Sequence, residues 1–429
     1  IQINNNTIKN ISFSSGNTNS SSNNSVPRFS ALHFGKGRIS CSNNTIGSTT
    51  EQGSIYLEQT NTTFSIYDIW VPAAYSNYTV LVDKCNHNTI AGITMDAPNF
   101  DAKGIHVEYY SSNSIDSLCY NTIGSLTQRD NFQIVPNTPS VTRSTFTAMF
   151  CGVPTNGSHI IVGNTCANIT RGSGGTSSLS CISVSSVNAT IAENTVMNIE
   201  TQNEGTFYGI YCSGENQEIC GNLIANIGSP ASSTNDIYGV YNLVSSGTAN
   251  IYNNVISLGL DPDGNSYETR QFNGIQVGYA ANIQFNTVSI KGNCTSYNSY
   301  AYYDYYNSST RYVKDNIFSN ERNNTAGTAK HYAAYYYGTG GLNSDYNDYY
   351  VSGTGGVLGY LSGDKTTLAA LQSATSQDAN SVSSNPDFFD ADGSYASDYM
   401  LLSALNGTTI AGITTDFGGI TRNATPTMG

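Results

Sequence analysis

Charge is the scarcest ingredient of this chain. Asp, Glu, Lys and Arg make up 11% of its 429 residues, against about 25% in an ordinary soluble domain. What charge there is runs one way: 17 Lys and Arg stand against 30 Asp and Glu, with five His, for a net −13. A surface of that sign repels a polyanion, which excludes a nucleic-acid binder working by phosphate neutralisation. Long hydrophobic runs are missing too. None approaches the roughly 18–20 apolar residues of a membrane-spanning helix, so no membrane span is expected. The cysteines form no CxxC pair and no Cys/His cluster at zinc spacing, which argues against a structural metal site. Helical periodicity is lacking along most of the chain. The sequence opens at Ile1 without a visible export signal, and the expectation is a mature or excised piece.

Nine cysteines are present, at 41, 85, 119, 151, 166, 181, 212, 220 and 294. Several recur at similar places in a repeated phrase. Cys41 in CSNNTI and Cys85 in CNHNTI lie three residues before an Asn, and Cys119 in CYNTI and Cys220 in CGNLI lie two before. Such recurrence points to buried thiols stacked in a core as small hydrophobes, with a few disulfides as the alternative. The Asn-, Ser-, Thr-, Gly- and Tyr-rich, Lys-poor composition favours a secreted, extracellular or cell-surface address.

The repeat is the dominant signal. Asn, a small or polar residue and an aliphatic residue recur in NNTIKNI, NNTIGS, HNTIAGI, YNTIGSL, GNTCANI, ENTVMNI, GNLIANI, NNVISL, FNTVSI and DNIFSN. The station residues are Asn6, Asn44, Asn88, Asn121, Asn164, Asn194, Asn222, Asn254, Asn286 and Asn316, and their spacing settles near 30 residues after Asn164. Before most stations comes a strand-like phrase such as KGIHVEYY, YGIYCS, YGVYNL, NGIQVGY or YAYYDYY. Between the two lies a third, such as HIIVGN, ATIAEN or ANIQFN. Three short strands per period, punctuated by Gly, Asn and Ser, describe an all-β, right-handed parallel β-helix of about ten coils. Coils then stack at about 4.8 Å, with alternate aliphatic residues filling the bore. Each station Asn is expected to make the tight turn, tolerating left-handed dihedrals, and to bond its copies on neighbouring coils as a ladder.

The early periods are longer than the later ones, and the extra chain lies at 17–25, 51–79 and 130–146. Insertions in a solenoid emerge as loops on one side. Segment 51–79 carries Tyr56, Phe64, Tyr67, Trp70, Tyr75 and Tyr78, and is expected to be a hydrophobic lid, with a sugar platform as the alternative. The repeats are placed in 1–340. Residues 341–429 read as a C-terminal cover for the exposed coil edge. DKTTLAALQSAT within it predicts one short helix capped by Asp364, with Leu368 and Leu371 on one face.

These phrases resemble the right-handed parallel β-helix proteins of the pectin-lyase-like superfamily. In particular they resemble secreted surface proteins of Bacteroidetes-type bacteria, whose modules end in phrases like SDYNDYY, SGTGGVLGY, LAALQSATSQDANSVSSNPDFF and IAGITTDFGGITRNATPTMG. The resemblance spans nearly the whole chain. It implies the fold and export by type IX secretion. It leaves activity open, because this fold hosts lyases, hydrolases, epimerases, adhesins and spacers.

Glycoside hydrolysis needs two carboxyls at a set separation. The hydrolases of that superfamily carry clustered Asp with GHG and RxK motifs, and no Asp-Asp pair, GHG or RxK occurs here. The basic residues are scattered. His33, His87, His106, His159 and His331 sit in no recognisable Ser and Asp constellation. No catalytic residue is therefore assigned, and a polysaccharide lyase or glycoside hydrolase is the alternative function. Two acidic loops offer hard oxygen donors for Ca²⁺: Asp261, Asp263, Asn265 and Glu268 in DPDGNSYE, and Asp387, Asp390 and Asp392 in DFFDADGS. Neither matches the full D-x-[DN]-x-[DN]-G loop, so an ordinary Asp/Gly turn is the favoured reading of both, Ca²⁺ is the alternative, and no cofactor is required. Tyrosine is the most unusual feature: 31 are present, 14 of them between Tyr297 and Tyr350. Outward Tyr303, Tyr305, Tyr335 and Tyr337 would form an aromatic stripe suited to stacking on a glycan or on a neighbouring subunit of a homo-oligomer or filament. A bulky core filling a widened coil is the competing account. The expectation is a non-catalytic extracellular solenoid acting as a structural, adhesive or fibre-forming protein, with a polysaccharide or neighbouring subunits as partner.

Overall fold

Every period of the repeat closes one coil, because its turns carry the dihedrals that strands cannot. The computed structural model describes residues 2–15, 28–34, 37–59, 63–71, 80–96, 99–107, 115–135, 144–152, 158–172, 178–202, 205–233, 235–243, 246–306 and 309–429. The expected insertion at 17–25 lies outside them, as do parts of 51–79 and 130–146. The chain is an all-β parallel solenoid with one short helix. It divides into two units, Ile1–Thr190 with Asn194–Tyr211 and Ala231–Asn235, and Ile191–Glu193 with Cys212–Pro230 and Asp236–Gly429.

In the second unit a coil holds three principal strands, as in Ala281–Gln284, Thr287–Ile290 and Ser299–Asp304. Each pairs in parallel with its counterpart on the next coil. The early coils of the first unit add a fourth. Val80–Asn86, Thr89–Ala91, Ile93–Asp96 and Asn99–Val107 form one such coil. Segment 51–79 contributes Ile55–Gln59 and Thr63–Val71 to this wall, and Ile55, Leu57, Ile66 and Ile69 are fully buried in the bore. These strands are therefore part of the coil rather than a lid over it.

The station asparagines are buried and stack into ladders. In the first unit Asn6, Asn44, Asn88, Asn121 and Asn164 each donate Nδ2 to the Oδ1 of the next station, at 2.9–3.0 Å. In the second, Asn222, Asn254, Asn286 and Asn316 do the same, ending on Asn347. Asn347 is a further station, in the phrase YNDYY. The turn itself falls elsewhere than expected. The left-handed residue is the one before the station: Asn5, Asn43, His87, Tyr120, Glu193, Asn253, Phe285, Asp315 and Tyr346 have φ of 52–61°, and Gly163 and Gly221 fill the same place. The station side chain cannot leave the bore: that of Asn286 bonds the Ile251 carbonyl and the Asn254 N–H on the coil before it and the Asn316 side chain on the coil after it. Strain is thus tolerated at its neighbour.

A second rule governs the strand before each coil closes. In Ile237–Asn242 and Ser299–Asp304 two successive residues point inward, so the outward positions fall three apart. One of the inward pair is small. A Cβ on Gly274 would stand 2.3 Å from Val288 Cγ1 and 2.5 Å from the Ala301 carbonyl oxygen.

All nine cysteines are free thiols; eight are buried and Cys220 is partly exposed. The cover of the last coil differs in detail from the sequence reading. The helix Leu368–Thr375 is capped by Thr367, whose side chain accepts the Ala370 N–H at 3.2 Å. Asp364 lies too early to cap it. It sits in the antiparallel pair with Tyr360 and accepts from Tyr332 and Lys330 instead. Leu371 is fully buried. The ladder then ends on a serine: Ser381 Oγ accepts the Asn347 N–H at 2.9 Å. Beyond it the chain runs back along the side of its unit. Tyr399 donates to Ser257 Oγ at 2.6 Å, Thr408 N–H to Asp315 Oδ1 at 2.6 Å, and the Arg422 guanidinium lies 3.7 Å from the Phe285 ring centre.

The ladder makes a stability prediction. Asn286→Ala strips partners from Asn254 and Asn316 and from the Ile251 carbonyl. At about 1–3 kcal/mol per buried unsatisfied group, the loss should be on the order of 3 kcal/mol in denaturant titration. Asn282→Ala, on an outward position, should cost less than about 0.5 kcal/mol. A thiol reagent should count nine reactive groups after unfolding, and in the native protein only Cys220 should react promptly.

Candidate functional site

The three-residue spacing puts two columns of side chains on the outer face of the sheet that contains Ile237–Asn242 and Ser299–Asp304. In register along the second unit, one column reads Tyr238, Asn273, Tyr300, Tyr332 and Val357. The other reads Tyr241, Gln276, Tyr303, Tyr335 and Tyr360. Rings on adjacent coils touch. Tyr300 and Tyr332 stack with centres 5.4 Å apart and planes 4° off parallel, and Tyr335 and Tyr360 stack at 4.2 Å and 2°. Tyr303 meets Tyr335 at 4.9 Å. Tyr305 and Tyr337, in the turns that follow, lie 6.2 Å apart and are 52% and 63% exposed. The four tyrosines singled out in the sequence therefore share one patch. Tyr300, Tyr332, Tyr360, Tyr238 and Tyr241 belong to it as well. Strict alternation missed them, because the extra inward residue shifts the outward period from two to three.

The competing account of the tyrosines holds for others. Tyr302, Tyr336 and Tyr349 are fully buried. The Tyr336 and Tyr349 hydroxyls bond each other at 2.8 Å, and Tyr349 donates to Asp378 at 3.0 Å. Tyrosine thus fills the late coils and coats them.

A groove of about 470 Å³ opens in the patch, lined by Asp236, Tyr238, Tyr241, Leu243, Gln271, Gln276, Tyr300, Tyr303 and Tyr305. Asp236 Oδ2 accepts from the Tyr238 hydroxyl at 2.8 Å, Gln271 Nε2 at 2.7 Å and Asn273 Nδ2 at 3.0 Å. Burial raises its pKa, and these three bonds oppose the rise. Asp304 anchors the strand end that carries Tyr303 and Tyr305. It is fully buried, accepts from Arg311 Nε at 2.7 Å, and its pKa is pushed up to about 6 because desolvation outweighs the buried guanidinium.

The first unit has an aromatic run on the strands Thr63–Val71, Asn99–Val107 and Ser144–Cys151. His33 stacks on Trp70 at 4.3 Å, and Lys103 Nζ lies 4.9 Å from the Tyr67 ring centre and 5.0 Å from that of Phe150. His106 beside them is held neutral, its pKa lowered to about 3 by burial and by Lys103.

The acidic loops serve their own backbones. Asp261 Oδ1 accepts the N–H groups of Asp263 and Asn265, each at 2.8 Å, and Asn265 Nδ2 donates to Asp261 Oδ2 at 3.0 Å. The Glu268 carbonyl accepts from Thr295. Asp390 accepts the Asp392 N–H, Asp392 pairs with Lys291 at 2.9 Å, and Asp387 accepts from Ser403. Among the described residues no group of three or more His, Cys, Asp or Glu is placed to hold a metal ion. One polar chain escaped the sequence reading: Ser299 Oγ lies 2.8 Å from His331 Nδ1, and His331 Nε2 lies 2.9 Å from Asn324 Oδ1. Ser299 and His331 are both fully buried, and burial with Arg322 nearby lowers the His331 pKa to about 4. It is an internal brace.

Compared with known proteins, the chain matches no protein-family model, no curated protein and no solved structure. The site therefore has to be read from its own chemistry.

Three buried carboxylates give the second unit a pH signature, among them Asp315, whose pKa burial raises to about 7. Asp304 has a pKa near 6, and Asp348, also raised by burial, near 7. Unfolded Asp titrates near 3.9. Between about pH 4 and 7 the folded form keeps protons that the unfolded form has lost. The stability they contribute is complete near pH 4 and is lost as pH rises to about 7. Thermal unfolding should show this decline, and Asp348→Asn should flatten it.

Proposed function

We propose that this chain is a non-catalytic β-solenoid working outside the cell as a surface contact or adhesive scaffold, and that its tyrosine face meets a glycan. One observation carries this reading: two columns of tyrosines in register on one face, beside Tyr305 and Tyr337 in the following turns at 52% and 63% exposure. A tyrosine ring offers an apolar face with a hydroxyl at its edge. A sugar ring offers the converse, a C–H face rimmed by hydroxyls. Rings already packed against one another lose little side-chain freedom on binding, which favours affinity. The secreted address, pectin-lyase-like kinship and type IX export belong to the same proposal and rest on composition and the C-terminal phrases. The buried Ser299 and His331 give a polymer nothing to react with.

Retention on immobilised polysaccharides tests it. The wild-type chain should be held by at least one polysaccharide of a broad panel. The variant with Tyr303, Tyr305, Tyr335 and Tyr337 all changed to Ala should lose at least tenfold in retention, while Tyr312→Ala, on another sheet, should not. Unchanged retention in the fourfold variant would reject the tyrosine face. Enzyme-like depolymerisation, including unsaturated uronate products absorbing near 235 nm, would reject the non-catalytic reading. If the fourfold change instead abolished self-association measured by sedimentation, with no polysaccharide held by either protein, the face would be a subunit contact.

A further inference from the structure

We propose that the groove in the tyrosine face is a subsite for one ring of a neutral saccharide. The inference rests on the glycan reading and narrows it to a place and a ligand class.

The groove exists because both tyrosine columns are interrupted on the same coil. Tyr238 and Tyr241 precede that coil and Tyr300 and Tyr303 follow it, while the coil itself carries Asn273 and Gln276. Coils repeat at about 4.8 Å, so the two walls are rooted about 9.6 Å apart. A flat ring between two others needs about 3.5–4.0 Å of contact distance on each face, or about 7–8 Å in all. The interrupted coil therefore admits one ring. Uninterrupted coils admit none, since their tyrosines already touch at 4.9–5.4 Å. The volume of about 470 Å³ falls within the roughly 300–1,000 Å³ of small-molecule sites.

The polar groups suit hydroxyls. Gln271 and Gln276 line the groove with Asp236. Asp236 is held by three donors. Asn273, fully buried and outside the lining, gives its amide to Asp236 and helps hold it. A carboxylate and side-chain amides between aromatic walls match a ring that carries both donors and acceptors. Charge sets the class. Among the described residues Asp236 is the only charged one lining the groove, and Arg270, which acts on it from outside the lining, is fully buried. A uronate, sulfate or sialic acid would meet that carboxylate with no cation exposed in the groove lining.

Calorimetric titration of the full chain tests this, using cello-, xylo-, malto- and laminari-oligosaccharides with oligogalacturonate as the anionic probe. At least one neutral series should bind, and oligogalacturonate at least tenfold more weakly. Gln276→Tyr, which puts a ring into the gap, and Tyr300→Ala, which removes a wall, should each weaken binding at least tenfold. Tyr312→Ala should change it less than twofold. Circular dichroism confirms that each variant is folded, and Tyr238→Ala replaces any that is not. Unchanged affinity in the folded variants, tighter binding of oligogalacturonate, or no binding of any neutral series would overturn the subsite. If the wild-type chain is still held on polysaccharide through its tyrosines in that case, only the subsite is wrong. If retention fails as well, the glycan reading falls with it.

Discussion

A buried primary amide must find partners for two donors and two acceptor sites where no water reaches. The station asparagines solve this only if each coil lies directly over the next. Asn286 gives one donor to the Ile251 carbonyl and one to Asn316, and accepts from Asn254. A coil that slipped by one residue would leave all four groups unpaired and turn its aliphatic residues outward. The ladder therefore fixes register, and register fixes everything that stands on the outer faces.

That consequence reaches the tyrosines. Once coils are in register, a residue type repeated in the sequence becomes a column in space, and a departure on one coil becomes a gap of known width. The Tyr238–Asn273–Tyr300 and Tyr241–Gln276–Tyr303 series depart together. Two amides in place of two rings interrupt the aromatic surface, and the groove that opens there is lined by Gln271 and Gln276. The same register lets Tyr302 and Tyr336 fill the bore one residue away from Tyr303 and Tyr335 on the surface. Core filling and surface stripe are thus two outcomes of one phrase.

The buried charges show how narrow the bore is. Arg311 meets Asp304 and three backbone carbonyls, and Arg322 donates to the carbonyls of Arg270 and Tyr267. Loops between strands supply these acceptors, so each cation pins a turn to the wall. The long tail after the helix does comparable work from outside. Arg422 binds Asn253 and the Thr415 and Gly429 carbonyls while lying on Phe285. It holds the tail against the turns where the left-handed residues sit.

By itself the sequence determined the parallel solenoid, the stations and their ladder, the buried thiols and a short C-terminal helix. Each is local or strictly periodic, and one period of chain shows it. Legibility ended where a position depends on neighbours a coil away. The left-handed turn belongs to residues as unlike as His87, Tyr120, Phe285 and Gly163, so no residue type announces it. Asp364 reads as a helix cap until the antiparallel pair with Tyr360 claims it. Segment 51–79 reads as an insertion until its strands join the wall. The groove was least legible of all. Asn273 and Gln276 are ordinary polar residues in a strand, and only the tyrosine-bearing coils on either side open a groove there, lined by Gln276.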